Sequence, residues 1–539
     1  MMIRRAIVYT IGGLAIISLP VQCVIDFSIV NIASACIVLA SGLITLLYIR
    51  FTDALDTQPL STFSIVGMCI TQQLGALLVQ SAAWTPLEKS LYDPLFTFGV
   101  LAILQVTAIC VHIAYRFFSK PKPTGIQFFH GLLTWAGVYR TPPCVALWLM
   151  GFVGLASHGV YISNALQMSA AGKIGMAFNF LAWAPFLIPY YHGRFGAAFC
   201  SWKLNRVMLV FFALAMAGIG LAMNARGIML TGVATIGLLY FLIGLRSTAP
   251  VTGRFLKWTG AVVVLMFTFG GPVSDLVTSM AIARYMGTNV SASAKLQRAL
   301  WVFHHPAMIA AFREQQSGFA RLAYNEFYIE NPLLQRFVET KFDDNSFHFG
   351  RLASSEEAQQ RLQEVSVKFL WGVLPTPVLD RLGVHVTKND LNYSMGDYLP
   401  YLTEGQPLGG HRVGSMFGQG IALFGVLFPL VFAGMCVVLF WLMDLLTARV
   451  AGEVAQVTAL GILQIWNYFL SGLSYEALHL AFWFAARAFW QTMLIYLALL
   501  AIGQLFSTRP ALEASLRPEN GPQLPRAMSP VRANPAAHA

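Results

Sequence analysis

Charged residues are scarce in this chain, and their scarcity decides its broad class. Asp, Glu, Lys and Arg together make up 11% of the 539 residues, whereas hydrophobic residues make up 57%. Soluble domains carry about 25% charged residues. The composition therefore excludes an ordinary soluble globular protein, and its long apolar runs predict an integral membrane protein.

The chain also lacks the short motifs that mark several common sites. None of its seven cysteines forms a CxxC pair, which argues against a disulfide framework or a thiolate metal site. There is no P-loop, no GxGxxG helix start and no GxSxG turn, which disfavours an ATP-driven transporter, a dinucleotide enzyme and an α/β-hydrolase. His304 and His305 point apart on a helix, so we expect no metal and no cofactor.

Long apolar runs are the main feature that is present. A helix needs about 20 apolar residues to cross a bilayer, and this length predicts about twelve spans. They lie near residues 6–25, 28–49, 62–84, 94–117, 143–162, 172–191, 207–224, 228–245, 258–277, 418–443, 456–473 and 484–506. The predicted fold class is an all-α polytopic membrane protein in a lipid bilayer.

The basic residues of the short loops predict which side of the protein faces the cytoplasm. Nearly all of them follow even-numbered spans or precede the first: Arg4, Arg5, Arg50, Arg116, Lys120, Lys122, Arg140, Arg194, Lys203, Arg206, Arg246, Arg254, Lys257 and Arg449. The positive-inside rule makes this side cytoplasmic and places both termini there. The same rule explains the net charge of +11 without a nucleic-acid partner.

Two long segments are not apolar. Residues 278–413 form a large polar loop between the ninth and tenth spans, hence on the outer face, and such loops usually carry function. Helices are predicted in this loop up to Pro375, and the stretch from Thr376, rich in Gly, Pro, Asn and Asp, is predicted to be irregular. Residues 507–539 are rich in Pro, Ala and Arg and are predicted to be a disordered cytoplasmic tail. The chain thus divides into spans 1–9 (residues 1–277), the loop, spans 10–12 (residues 414–506) and the tail.

The end of the loop combines the residue types that an anion-binding catalytic surface needs. Guanidinium groups hold phosphate by paired N–H donors, and a carboxylate or an imidazole accepts a proton. The candidates there are Arg381, Asp397, Glu404, His411 and Arg412. The alternative interpretation is a solvated loop with incidental charges, in which Arg412 extends toward lipid phosphate.

Two further arginines are candidates on the same face. Arg226 stands at the start of the eighth predicted span, where a charge at membrane depth needs a partner or a role. Arg321 lies on a predicted loop helix and is a weaker candidate. For both residues the alternative is a surface or lipid-headgroup contact.

Three segments give the chain a resemblance to the bacterial oligosaccharide repeat-unit polymerases of O-antigen and exopolysaccharide synthesis. NARGIMLTGVATIGLLYFL (224–242) is similar to their Arg-bearing helix entry on the outer face. LPTPVLDRLGVHVTKND (374–390) is similar to part of their long periplasmic loop, and RVGSMFGQGIALFGVLFPLVFAG (412–434) to the following span entry. The chain departs from the pattern at Ala225, where a small hydroxyl residue is usual, and at Thr376-Pro377, where Pro-Arg is expected.

The resemblance implies a multi-pass enzyme of the bacterial inner membrane. At the periplasmic face, a sugar hydroxyl of one undecaprenyl-pyrophosphate-linked oligosaccharide attacks the anomeric carbon of the growing chain, and undecaprenyl pyrophosphate leaves. The transfer would invert that carbon without a metal, and a chain-length regulator would be a possible partner. The implied pyrophosphate ligands are Arg226 and Arg412, then Arg321 and Arg381, and the implied catalytic base is His411, then Asp397 or Glu404.

Other functions stay open. An O-antigen ligase uses the same lipid donor but passes the glycan to the lipid A core, and the sequence barely separates it from a polymerase. A polysaccharide or lipid transporter would show internal repeats and mid-membrane charges. No repeat is evident, and Gln72 and Gln73 suit helix packing. A single-sugar glycosyltransferase would need acids in the first outer loop, where Asp26 stands alone.

Overall fold

The computed structural model describes most of the chain. The described residues are 2–119, 124–160, 175–222, 226–284, 292–318, 324–329, 331, 334–374, 376–386, 391, 393–410, 412–448 and 455–506. The predicted tail, Arg321 and His411 lie outside them, and for Arg226 only the backbone is described. Within the described residues the fold is helical, apart from one antiparallel pair of two-residue strands, β1 (Thr447–Ala448) and β2 (Gln456–Val457).

The described residues up to Arg284 form twelve α-helices in sequence order. They are α1 (Ile3–Ile25), α2 (Ile29–Phe51), α3 (Ala54–Thr57), α4 (Pro59–Cys69), α5 (Gly75–Ala82), α6 (Pro94–Phe118), α7 (Thr124–Ala136), α8 (Cys144–Val160), α9 (Ile188–Phe195), α10 (Trp202–Ala222), α11 (Arg226–Arg246) and α12 (Gly253–Arg284). A π-helical turn, Ile70–Leu74, joins α4 to α5. Helix α6 begins where Asp93 accepts a bond from the amide of Phe96, as expected of an N-cap.

The second half has shorter helices before its last spans. They are α13 (Ala292–Phe303), α14 (Pro306–Gly318), α15 (Thr340–Leu352), α16 (Glu356–Gly372), α17 (Thr376–Arg381), α18 (Met395–Glu404), α19 (Met416–Phe424), α20 (Phe428–Leu445), α21 (Ala459–Leu463), α22 (Ile465–Leu470), α23 (Leu478–Trp483) and α24 (Phe489–Leu505). A second π-helical turn, Phe484–Ala488, joins α23 to α24. The described part of the polar loop contains helices α13 to α18, and the last two, α17 and α18, lie in the stretch that the sequence predicted to be irregular.

Seven segments among the described residues are long and apolar enough to cross a membrane. They are Ile3–Ile25, Ile29–Phe51, Pro59–Ala82, Pro94–Phe118, Trp202–Leu221, Met416–Leu445 and Leu478–Leu505, and Cys144–His158 and Thr231–Arg246 are shorter apolar helices. The all-α polytopic membrane class is therefore confirmed at this level. The count of twelve spans stays a prediction.

Several predicted spans are not continuous α-helices, and two of them are broken most completely. The span near 172–191 is a 3₁₀ stretch, Asn179–Leu187, followed by α9, because Pro185 offers no amide hydrogen for an α-helical bond. The span near 456–473 starts with β2 and continues as two short helices, α21 and α22, that meet at Gln464. Apolar composition alone does not reveal such breaks.

Contacts between helix ends define one end of the bundle, which we call the basic end. Arg4 at the start of α1 forms a 3.1 Å ion pair with Asp56 after the end of α2. Arg116 at the end of α6 pairs with Asp53. The amide of Ala455 also donates to the backbone oxygen of Asp56, at 2.9 Å. Several residues predicted to face the cytoplasm thus lie together.

The opposite end of the bundle, which we call the loop end, carries part of the polar loop. Gln22 near the end of α1 donates to Ser81 at 3.0 Å, so the outgoing ends of α1 and α5 meet there. Arg351 of α15 pairs with Asp93 at the start of α6, at 3.0 Å. Tyr328 donates its hydroxyl to the backbone of Leu87 at 2.7 Å. Which end faces the cytoplasm stays a prediction.

A buried polar network joins four of the bundle helices near the basic end. Ser61 of α4 donates to Asp444 of α20 at 3.0 Å, so its oxygen accepts from His112 Nε2 of α6 at 2.9 Å. The other ring nitrogen, Nδ1, then accepts from the hydroxyl of Tyr48 in α2 at 2.6 Å. His112 is fully buried. Each member has a partner, as burial in a low-dielectric interior requires.

We predict that His112→Ala lowers stability by about 2 to 4 kcal/mol. The substitution removes the ring that bonds to the buried hydroxyls of Tyr48 and Ser61, and it opens a cavity. The thermal midpoint of the detergent-solubilised protein measures the effect. Thr107→Ala is the matched control on the same helix, since the exposed Thr107 hydroxyl bonds only to its own helix at Ile103. Equal midpoints for the two variants would contradict the network's structural role.

Candidate functional site

Helix α15 is the most polar buried element among the described residues. Lys341 and Asp344 are each 1% exposed, and Asp343 is 3% exposed. Charged residues are almost never this buried unless they are paired. The helix packs against the start of α6, the π turn Ile70–Leu74 and α19, so its polar side chains lie between membrane helices at the loop end.

Asp344 is a fully bonded anchor. Its carboxylate accepts bonds from the backbone amides of Tyr92 at 2.8 Å and Asp93 at 3.1 Å, and from the hydroxyl of Thr97 at 3.1 Å. Lys341 completes the set with a 3.0 Å ion pair, and its ammonium lies 4.3 Å from the centre of the Tyr92 ring. These bonds attach α15 to the start of α6.

Asp343, the neighbouring residue, is only half satisfied. Its Oδ1 accepts from the Ser415 hydroxyl at 2.5 Å, while its buried Oδ2 makes no hydrogen bond with any described residue. Burial raises the pKa of Asp343 from 3.8 to about 8, against the opposing effect of the Ser415 bond. The Asp343 carboxyl is therefore mainly protonated at pH 7.

Ser415 connects Asp343 to the start of α19. The Ser415 oxygen accepts from the amides of Phe417 at 3.0 Å and Gly418 at 3.4 Å, so it is the N-cap of that helix. Residues 412–415, which end at this cap and belong to no helix or strand, are called the strap below. The strap is the point at which the polar loop enters the span Met416–Leu445.

Side chains from two other segments hold the strap. The Tyr324 hydroxyl donates to the backbone oxygen of Val413, and Glu326 Oε1 accepts from the Val413 amide at 2.7 Å. Ser394 donates to the backbone oxygen of Arg412 at 2.5 Å. The two peptide groups that follow Arg412, 412–413 and 413–414, are therefore fixed by residues distant in sequence.

Glycines allow the strap to lie this close to its neighbours. A Cβ atom on Gly396 of α18 would lie 2.5 Å from the Arg412 backbone oxygen. A Cβ atom on Gly414 would lie 2.8 Å from both the Glu476 oxygen and the Gly396 nitrogen. Only glycine fits at both positions without moving backbone.

The buried Nη1 of Arg412 lacks a hydrogen-bond acceptor among the described residues. The guanidinium carbon of Arg412 lies 5.7 Å from the centre of the Tyr324 ring. Buried N–H groups without an acceptor are rare in native proteins, and a guanidinium group matches phosphate or carboxylate oxygens. The strap therefore presents, on a fixed backbone, a buried guanidinium donor that is suited to an anion.

The structure places some of the predicted site residues together and others apart. Asp397 lies beside the strap, because its Oδ1 accepts from the Arg412 amide at 3.4 Å. Glu404 is exposed at the end of α18 and accepts from Gln406 at 2.5 Å. Arg381 is exposed at the end of α17. Of these residues, only Arg412 and Asp397 are in direct contact.

The remaining predicted residues are less completely described. Helix α11 runs from Arg226 to Arg246, and Arg246 donates to the backbone of Ala455 at the basic end. At 1.5 Å per residue, the backbone of Arg226 lies about 30 Å from that point, toward the loop end. The Arg226 side chain, His411 and Arg321 lie outside the described residues. Their convergence on Arg412 stays a prediction.

Sequence reasoning missed the buried polar helix. The run TKFDDNSFHF (340–349) contains a Lys341–Asp344 spacing of i,i+3 and two adjacent acids between aromatic residues. Such a helix is polar on several faces, which is unusual next to lipid-facing spans, and this was the available signal. This signal does not predict the burial of Asp343, because that burial depends on helices distant in sequence.

Gln72 and Gln73, which the sequence predicts to be helix-packing residues, each make a hydrogen bond to another element. Both lie in the π turn Ile70–Leu74. Gln72 donates to Glu339, just before α15, at 2.9 Å, and Gln73 donates to the backbone of Leu101 at 3.1 Å. The π turn thus helps to hold α15 between the spans.

Known proteins do not identify this site. Comparison of the chain with protein family models, curated proteins and solved structures finds no match. In the part of the chain that the structure describes, no group of three or more His, Cys, Asp or Glu residues is placed to hold a metal ion. The function must therefore be inferred from the chemistry of the strap and its surroundings.

We predict that stability falls as pH rises from about 4 to 8, in part through Asp343. In this range the unfolded chain releases the Asp343 proton while the folded protein retains it, because the folded pKa is raised to about 8. Asp343→Asn cannot titrate and keeps an acceptor for Ser415, so its stability falls less over the same range.

The measurement is the thermal midpoint of wild type and variant at pH 5 and at pH 8. Asp380→Asn is the control, because Asp380 is exposed on α17 and should leave the wild-type pH dependence intact. Parallel pH profiles for wild type and Asp343→Asn would show that Asp343 is not the buried neutral acid described here.

Proposed function

We propose that this protein polymerises oligosaccharide repeat units carried on undecaprenyl pyrophosphate, at the periplasmic face of a bacterial inner membrane. The observation that carries the proposal is the unpartnered, buried Nη1 of Arg412 on the strap. This group lies at the loop end, opposite the basic end. A bilayer-embedded protein with a preoriented cation there is suited to an anionic lipid substrate.

The proposed chemistry assigns Arg412 to the leaving group. A sugar hydroxyl oxygen of one lipid-linked unit bonds to the anomeric carbon of the growing chain. The bond from that carbon to pyrophosphate breaks, and the anomeric centre inverts. Negative charge grows on the departing pyrophosphate, and a donor that is already held in place stabilises it without reorganisation. The strap's bonds to Tyr324, Glu326 and Ser394 provide that preorganisation for Arg412.

The hydroxyl proton needs an acceptor, and His411 is our proposal for it. It adjoins Arg412 in the sequence, and an imidazole accepts a proton near neutral pH. Asp397 is fully buried and bonded to the strap backbone, which suits a positioning role. Glu404 is exposed and bonded to Gln406, which makes it a weaker proposal. Arg226 is proposed as the second pyrophosphate ligand, ahead of Arg321 and Arg381.

A proton-coupled transporter of lipid or polysaccharide is a second candidate. Buried ionisable residues between membrane helices are typical of proton relays. Lys341, Asp343 and Asp344 form such a group on α15. A transporter would move lipid-linked units across the bilayer without changing their length. A ligase would share the polymerase chemistry but attach its product to the lipid A core.

We predict that Arg412→Gln loses about 2 to 4 kcal/mol of transition-state stabilisation, which is roughly a 30- to 900-fold lower rate. The assay uses purified protein in proteoliposomes with undecaprenyl-pyrophosphate-linked repeat units, and product length is followed by gel electrophoresis. Arg361→Gln is the matched control, because the exposed Arg361 pairs only with Glu357 on the same helix.

The outcomes separate the three functions. Wild type and Arg361→Gln should extend the glycan, and Arg412→Gln should leave mainly single repeats. Full-length polymer from Arg412→Gln at the wild-type rate would contradict the role of Arg412. Movement of units without extension would favour the transporter, and extension only in the presence of lipid A core would favour the ligase.

A further inference from the structure

Two membrane segments are longer than a bilayer requires. Met416–Leu445 has 30 residues and Leu478–Leu505 has 28, whereas about 20 suffice to span the hydrocarbon. Their excess lies at the loop end. Gln419 bonds there to the Ser366 hydroxyl and to the Leu478 amide, both at 2.9 Å. The first turns of α19 and α23 therefore project among the loop helices.

Arg487 lies near the level at which the last segment enters the bilayer. It follows Leu478 by nine residues, about 13 Å along the helix, and belongs to the π turn Phe484–Ala488. Single π turns inside helices are frequent at functional sites. The Arg487 side chain is exposed, and its Nη1 donates to the Val373 backbone oxygen at 3.4 Å. It makes no ion pair with a described residue.

The surface around Arg487 is suited to lipid. Val367, Leu370 and Trp371 are exposed on one face of α16, and that helix ends beside Val373. Trp483, just before the π turn, is 39% exposed. Exposed aromatic residues next to a membrane span are typical of the bilayer interface. Arg487 therefore combines an exposed cationic group that has no ion pair with a described residue and a neighbouring apolar surface that can contact a lipid chain.

The same segment connects Arg487 to the strap. The Met416 amide donates to the Tyr475 backbone oxygen at 2.8 Å, just before α23. The ring of His479 in α23 stacks on Phe369 of α16, with ring centres 4.3 Å apart. Arg412 and Arg487 thus lie at the same end of the bundle, one on the strap and one further along the span beside it.

We propose that Arg487 forms a second phosphate site, which binds the pyrophosphate of the incoming lipid-linked unit while Arg412 binds that of the growing chain. This inference rests on the proposed polymerase function, in which two lipid pyrophosphates are held at the same time. Arg487 binds and orients the acceptor and makes no contact with the bond that breaks.

The kinetic test varies one substrate at a time. With a preformed long-chain donor at saturation, Arg487→Gln should raise the KM for the single-repeat acceptor about tenfold, as expected for one lost charge-assisted hydrogen bond. The kcat of Arg487→Gln should stay close to the wild-type value. The acceptor KM of Arg487→Lys should lie between those of wild type and Arg487→Gln. An unchanged acceptor KM in Arg487→Gln, or a fall confined to kcat, would overturn the proposal.

A binding test separates this inference from the proposed function. Native mass spectrometry should detect two bound undecaprenyl pyrophosphate molecules on wild type and on Arg361→Gln, and one on Arg487→Gln and on Arg412→Gln. Displacement by inorganic pyrophosphate supports recognition of the phosphate group. If phosphatidylglycerol displaces the bound undecaprenyl pyrophosphate as well as inorganic pyrophosphate does, Arg487 is an ordinary lipid-headgroup contact and the proposal is overturned. Two-site binding without polymerisation would contradict the function and not the site.

Discussion

The buried pair of Lys341 and Asp344 is the interaction on which the loop end depends. Removing one partner from such a pair costs about 3 to 5 kcal/mol, because it leaves an uncompensated charge in the interior. The Asp344 carboxylate also accepts bonds from two backbone amides and a hydroxyl before and within α6. These partners are satisfied together only when α15 is docked against that helix start.

Docking of α15 has a consequence at the neighbouring residue. It brings Asp343 to Ser415, the cap of α19, and so closes one end of the strap. Bonds from Tyr324 and Ser394 then hold the strap's peptide groups. These contacts fix the backbone that carries Arg412, whose guanidinium makes no ion pair with a described residue. An anion that binds there therefore does not have to order the strap, because folding has already done so.

The sequence predicted the membrane class and many helices well, because these follow from local composition. The spans expected near 28–49 and 94–117 are found as Ile29–Phe51 and Pro94–Phe118. The expected span near 456–473 is broken at Gln464, which continuous hydrophobicity does not reveal. Length and apolar content therefore predict that a segment enters the membrane better than they predict its shape.

The candidate site was predicted only in part, for a different reason. Arg412 and Asp397 stand out in the sequence because charges are rare here and these two flank a glycine-rich membrane entry. Asp343 does not stand out, because its importance comes from burial by α6 and α19 and from a hydroxyl at position 415. Such a property belongs to the tertiary structure, and the two adjacent acids between aromatic residues do not by themselves show which of them is buried.

The most direct test of the account is an electron cryo-microscopy map of the protein in lipid nanodiscs with an undecaprenyl-pyrophosphate-linked repeat unit. The account predicts pyrophosphate density at the loop end, with oxygens about 3 Å from the Arg412 guanidinium. Density at the basic end, or pyrophosphate density at the loop end with none at Arg412, would contradict it.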